Sequence, residues 1–340
     1  MTLEKIKNYL RPLKRWCYEK KRYLLYGLNQ SINLPKKRYL TFIAIRNRHL
    51  RFKNYEPRPS RDDALLCQVR EKGFAVIKNA IEPQKLEPIK QYLETCLDTG
   101  KGLLVPSNDY LFTRNGQRSD LTSDQLKKGQ KYFRSLTNYA AVAKPMLNCP
   151  SIANLILDDR IVDFATAYIG CLPVLASVNL RKSFANSLPS YGTQMFHSDP
   201  DSLRFIKFFW YLNDVDLKGG PFCYVQRSHR NHFIGWQSKV RWTNEEIENI
   251  YGRDPMKYLV ASAGDLIVAD TIGFHRGTKV ESEDRRMLTI SYALPNRLRG
   301  GPVNGIEVSK AVYSKLNAKQ RELVLQEGNR HYGPTDVDAY

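Results

Sequence analysis

The sequence predicts a mainly β domain, a jelly-roll-like core of short strands with helices in front of it. Beyond Pro173 the chain reads as short apolar runs, VLASVNL, RFIKFFWYL, PFCYV, KYLVA, DLIVAD and MLTISYAL, separated by Gly, Pro, Asn and Asp. Runs of that length between turn residues are the pattern of a β-sandwich or barrel. Ahead of residue 173 helical spacing dominates instead, and no internal repeat breaks the chain into smaller units. At 340 residues and 42% hydrophobic content there is enough apolar material for one sizeable core.

From the start of the chain, residues 1–53 hold 15 Lys or Arg against two acids, Glu4 and Glu19, so most of the net charge of +19 sits in an extension. There Leu3, Ile6, Leu10 and Leu13 recur at helical spacing among basic residues. That is a basic amphipathic helix, kinked at Pro12, suited to an anionic membrane surface or an acidic partner. No zinc-finger spacing or aromatic RNP motif accompanies the charge, so nucleic acid is not the expected partner. Six scattered cysteines without a CxxC pair, no secretory signal and no long apolar run point to a soluble protein of a reducing, cytoplasmic compartment, touching a membrane surface at most through residues 1–53. YEPRPSRDD (55–63) reads as a linker, with a cap for a helix from Ala64. The expected organisation is therefore a basic extension over 1–60, a domain over 61–300 with its β core at about 173–295, and a C-terminal extension over 301–340. Within the domain, GFAVIKNAI (73–81) is strand-like. Residues 82–97 place Leu86, Ile89, Leu93 and Leu97 on one helical face, 98–140 is polar and turn-rich, and 141–170 is helical again.

The stretch QMFHSDPDSL (194–203) sets His197 and Asp199 two residues apart. In extended chain their side chains share a face, so imidazole and carboxylate can reach one ion. His275 ends a second run, AGDLIVADTIGFHRG, which antiparallel pairing brings beside the first. Two imidazoles and one carboxylate on one side of a metal form the facial triad of non-heme Fe(II) oxygenases, with coordination positions left for other ligands. In RRMLTISYAL, Arg286, Leu288, Ile290 and Tyr292 share a strand face. An inward guanidinium needs a carboxylate to grip, so Arg286 is favoured over Arg285 as the anchor for the distal carboxylate of 2-oxoglutarate, with Thr278 adding a hydroxyl.

These residues carry a resemblance. Over about residues 70–295 the chain resembles the phytanoyl-CoA dioxygenase family, in GFAVIKNAIEPQKLEPIKQYL, FHSDPD, WYLNDVDLKGGPFCYVQRSHR as a central hairpin, AGDLIVADTIGFHRG and Arg286. The resemblance implies a double-stranded β-helix, cupin-like, flanked by helices. It implies iron on His197, Asp199 and His275, 2-oxoglutarate at the metal and Arg286, O2 as oxidant, ascorbate as reductant, and succinate and CO2 as products. The family's Lys-Pro-Pro stretch is replaced here by ASVNLRKSFANS, where Asn179 and Arg181 share a face and take the polar contacts to co-substrate or substrate. His229 and His232 are read as structural. Halogenases of this broad class replace the carboxylate ligand, so Asp199 favours hydroxylation of a C–H bond in a small or carrier-linked, anionic or lipid-like molecule. The alternatives are a cupin-type metalloenzyme independent of 2-oxoglutarate and a catalytically silent binding protein. Succinate formation separates them.

Overall fold

The computed structural model describes residues 64–99, 103–104, 124, 128–142, 146–199, 204–230, 241–293 and 310–324. The basic segment 1–53, the linker 55–63 and His232 lie outside them. Helix α1 (Ala64–Lys72) buries Leu66 and Val69. It stops at Gly73, whose φ of +92° lets its N–H close back on the Val69 carbonyl at 2.9 Å. Strand β1 (Phe74–Ile77) follows at once. Helix α2 (Pro83–Thr99) buries Leu86, Ile89, Leu93, Cys96 and Leu97, the single apolar face that the spacing predicts.

The segment read as polar and turn-rich holds more structure than its sequence suggests: strand β2 (Leu103–Leu104), helix α3 (Gly129–Leu136) and strand β3 (Tyr139–Val142). Two to four residues are too few to display a period, and their strand state comes from pairing with neighbours. Helices α4 (Pro150–Ile156) and α5 (Asp159–Ile169) come next. The Asp158 side chain caps α5, and Gly170 in the left-handed region ends it.

The β core comprises β4 (Val174–Ser183), β5 (Phe205–Tyr211), β6 (Phe222–Val225), β7 (Met256–Leu259), β8 (Leu266–Ala269), β9 (His275–Gly277) and β10 (Arg285–Ala293), with helix α6 (Asn244–Tyr251) between β6 and β7. Helix α6 was not expected, although its capping box of Thr243 and Glu246 is legible in the sequence. Seven strands form one sheet in the order β1-β8-β5-β10-β4-β3-β2, and three form another in the order β7-β6-β9. This is the antiparallel jelly roll expected. The central hairpin is not a hairpin: β5 lies in the large sheet and β6 in the small one, so the chain between them crosses from sheet to sheet.

Two apolar layers result. Outside the large sheet, Leu86, Ile89 and Leu93 of α2 join Leu180, Ile206, Phe208, Trp210, Leu288, Ile290 and Tyr292 in the main core. Between the sheets, Phe74, Phe209, Tyr211, Phe222, Tyr224, Ile267 and Met287 form a second cluster. Each large side chain so buried contributes roughly 1.5–3 kcal/mol. The C-terminal segment 301–340 is not wholly peripheral, because α7 (Lys310–Lys315) and α8 (Ala318–Val324) lead into Leu316, Leu323 and Val324, which are buried in the main core. No helix among the described residues is long and apolar enough to cross a membrane.

Candidate metal centre and its arginines

His197 and His275 meet as an antiparallel bridge, each backbone N–H donating to the other's carbonyl at 3.0 Å. The pairing sets the rings 4.2 Å apart between centroids. Two residues on, the Asp199 N–H donates to the Thr271 carbonyl at 2.8 Å, which turns its carboxylate to the same side. His275 Nε2 lies 3.3 Å and His197 Nε2 3.7 Å from Asp199 oxygens. One ligand atom from each of the three residues falls within 4.8 Å of the others. The structure thus brings together the three residues that the spacing singled out, at separations compatible with one shared ion.

The rings are oriented for it. His197 Nδ1 lies 2.9 Å from the Met195 carbonyl and His275 Nδ1 2.9 Å from the Gly273 carbonyl. A carbonyl can only accept, so both Nδ1 atoms carry the proton and both Nε2 lone pairs face the centre. Burial, with the nearby His275, pushes His197 down to about 3, so it is neutral and ready to ligate. Burial would raise the Asp199 carboxyl, but the Lys207 ammonium beside it holds it well below the usual range. Lys207 donates to Asp199 at 2.6 Å. Two imidazole nitrogens and a carboxylate are a donor set that fits a divalent first-row metal.

The arginine assignment is corrected. Arg286 faces away from this centre: its Nε donates to Glu94 of α2 at 2.6 Å, and Leu288, Ile290 and Tyr292 on its face belong to the core under the helices. Lys182, its cross-strand neighbour, also donates to Glu94, at 3.1 Å. Arg285 is the inward arginine. It is 2% exposed, shares its face with Met287 of the inter-sheet cluster, and among the described residues has only a 3.3 Å contact to the Ser183 hydroxyl. Burial pulls its guanidinium down to about 10. Gly277, two residues after His275, makes room for it, since a Cβ there would stand 2.9 Å from Arg285 Nη2. Thr278 is corrected too, because its hydroxyl is committed to the Pro221 carbonyl at 2.9 Å.

Asn179 and Arg181 do lie on the inner face, opposite Thr289 and Met287 of β10. Asn179 Oδ1, Arg181 Nε and Arg285 Nε are all buried without a hydrogen-bond partner. Buried polar atoms are nearly always satisfied, and these three gather on one face of the large sheet. His229 instead braces the fold, its Nε2 donating to the Arg70 carbonyl at 3.1 Å. The sequence gives no sign of Lys207 or Gly277, and it ranks Arg285 behind Arg286. Alternation along RFIKFFWYL and RRMLTISYAL separates the two faces of each strand, but no local signal says which face the helices cover.

The family model described as phytanoyl-CoA dioxygenase (PhyH) matches residues 69–288. Among solved structures, HygX from Streptomyces hygroscopicus with nickel and 2-oxoglutarate bound aligns at 18% identity over 68% of this chain and 86% of its own, with a TM-score of 0.45. The non-heme alpha ketoglutarate dependent carbocyclase SnoK from nogalamycin biosynthesis aligns at 16% identity over 70% of this chain and 87% of its own, with a TM-score of 0.48. The epimerase SnoN in complex with Fe3+, alpha ketoglutarate and nogalamycin RO aligns at 14% identity over 67% and 81%, with a TM-score of 0.44. No curated protein matches.

Proposed function

Since this chain belongs to the phytanoyl-CoA dioxygenase family, we propose that it is an Fe(II)- and 2-oxoglutarate-dependent oxygenase that hydroxylates a C–H bond of a small or carrier-linked molecule. The observation that carries this reading is the buried Arg285, its Nε without a hydrogen-bond partner among the described residues, packed against Gly277 two residues after His275, together with the His197, Asp199, His275 cluster. His197, Asp199 and His275 would hold the metal through Nε2, a carboxylate oxygen and Nε2. When bound, Fe(II) with 2-oxoglutarate and O2 supplies the oxidising power, one oxygen atom going into succinate and the other into the hydroxylated product as CO2 leaves.

The protein's own residues do the rest. The Met195 and Gly273 carbonyls hold both imidazoles in the ligating tautomer. Lys207 orients the Asp199 carboxylate. Arg285 takes the distal carboxylate of 2-oxoglutarate, an ion pair that satisfies a guanidinium otherwise costly to bury. Asn179 offers its free oxygen or amide beside it. Phe209 and Phe222, with ring centroids 4.8 Å apart, and Met287 wall the interior against water. Retention of Asp199 leaves no vacancy for a halide among the protein ligands, which favours hydroxylation.

The test is to incubate the protein with Fe(II), ascorbate and 2-oxoglutarate and to follow succinate. Wild-type protein should release succinate slowly alone and faster with a true substrate, while His197→Ala, Asp199→Ala and His275→Ala should lose metal and turnover together. Wild-type protein that releases no succinate under any candidate substrate, yet retains metal, would mean an enzyme or binding protein independent of 2-oxoglutarate.

A further inference from the structure

Among the described residues three cations face the interior from the large sheet, and they are not equivalent. Lys207 of β5 is matched by Asp199 at 2.6 Å. Arg285 of β10, at 2% exposure, is shut in by Ser183 and Gly277 and is the anchor assigned above to 2-oxoglutarate. Arg181 of β4 remains. It lies across from Met287, its guanidinium 5.6 Å from the Tyr139 ring centroid. A long 3.4 Å contact to the Thr193 hydroxyl is its one hydrogen bond among the described residues, and its Nε is buried without a partner. Thr193 belongs to the turn Gly192–Gln194 that leads directly into His197. Arg181 is half-buried rather than sealed, so it stands between the interior and the turn in front of the metal ligands.

Charge bookkeeping gives Arg181 a role. Bound Fe(II) and the 2-oxoglutarate dianion neutralise each other, and Asp199 is matched by Lys207. Two guanidiniums are left, which is an unfavourable state for a largely desolvated site unless another anion enters. Resting on the oxygenase reading, we propose that the substrate carries an anionic group, a carboxylate or a phosphate, and that Arg181 binds it and so sets which carbon faces the metal. A guanidinium over an aromatic ring, engaged by one long contact only among the described residues, suits bidentate capture of either group. Tyr139, itself stacked on Tyr191, keeps the fork in place.

The test uses full-length protein loaded anaerobically with Fe(II) and 2-oxoglutarate, titrated by calorimetry with octyl phosphate, octanoate and uncharged octanol. Wild-type protein should bind one or both anions well above octanol, and the two anions distinguish a phosphate from a carboxylate substrate. Arg181→Gln should weaken that binding by about one to two orders of magnitude, the value of hydrogen bonds to a charged group, and Arg181→Lys should restore part of it. Binding of 2-oxoglutarate itself should change little in Arg181→Gln. Equal binding of anions and octanol, or anion binding unaffected in Arg181→Gln, would overturn the proposal. So would a loss of 2-oxoglutarate affinity in Arg181→Gln, which would make Arg181 a co-substrate contact. Should wild-type protein bind no 2-oxoglutarate at all, the oxygenase reading falls first and this proposal with it.

Discussion

Replacing Arg285 and, separately, Arg286 by alanine distinguishes the inner face of β10 from the outer one. Arg285 is 2% exposed with no carboxylate near enough to pair among the described residues, and the distal carboxylate of 2-oxoglutarate is the partner proposed for it. Removing one member of a desolvated charge pair costs roughly 3–4 kcal/mol, which is about two to three orders of magnitude in 2-oxoglutarate affinity. Arg286 is different in kind. Its ion pair with Glu94 is part-exposed, 23% and 29% for the two side chains, and Glu94 keeps Lys182 and Gln130 as donors when the arginine is gone. Screening leaves that pair about 1 kcal/mol, a drop in melting temperature of about 2–4 °C, with 2-oxoglutarate binding unchanged. Calorimetry of 2-oxoglutarate binding to Fe(II)-loaded protein, with a thermal melt of each variant, reads both effects. Ligand-free Arg285→Met should melt no lower than wild type, because an unpaired buried guanidinium opposes folding. If Arg286→Ala abolished 2-oxoglutarate binding while Arg285→Ala kept it, the assignment of faces would be refuted.

Two further predictions concern the same interior. His197 has a folded value of about 3 against 6.5 for the free side chain, so between those values the unfolded chain binds a proton that the folded one does not. Metal-free protein should therefore lose stability as pH falls below about 6.5, at about 1.4 kcal/mol per pH unit for this one group. The depressed Asp199 acts in the same sense at lower pH. Urea denaturation at a series of pH values should show His197→Asn losing about one proton from the slope, and an unchanged slope would contradict the burial of a neutral imidazole. Gly277→Ala would place a Cβ 2.9 Å from Arg285 Nη2. Crowding of that order costs about 1–3 kcal/mol, so 2-oxoglutarate affinity should fall about tenfold or more with metal binding retained. Unaltered affinity and unaltered melting would show that the guanidinium does not rest on this glycine.

Much of the architecture follows from local chemistry. Leu86, Ile89, Leu93 and Leu97 at helical spacing specify α2 and its buried face, and apolar runs between turn residues specify the long strands, since both periods are properties of the backbone itself. His197 and Asp199 share a side because an extended chain alternates. Which side is inside is another matter. Arg285 and Arg286 must point opposite ways in any strand, and the apolar company of Arg286, namely Leu288, Ile290 and Tyr292, looks from the sequence like the interior of a barrel. In this fold the most apolar face of β10 is the one roofed by helices. The space between the sheets is instead lined partly by Asn179, Arg181, Thr289 and Arg285, polar groups that suit the ligand proposed for it. Strands as short as β3 and β9, and the placing of β5 and β6 in different sheets, likewise depend on partners far away in the chain. The sequence by itself determined the longer elements and the shared side of His197 and Asp199, whereas the faces, and with them which arginine looks inward, were decided by long-range packing of helices on a sheet.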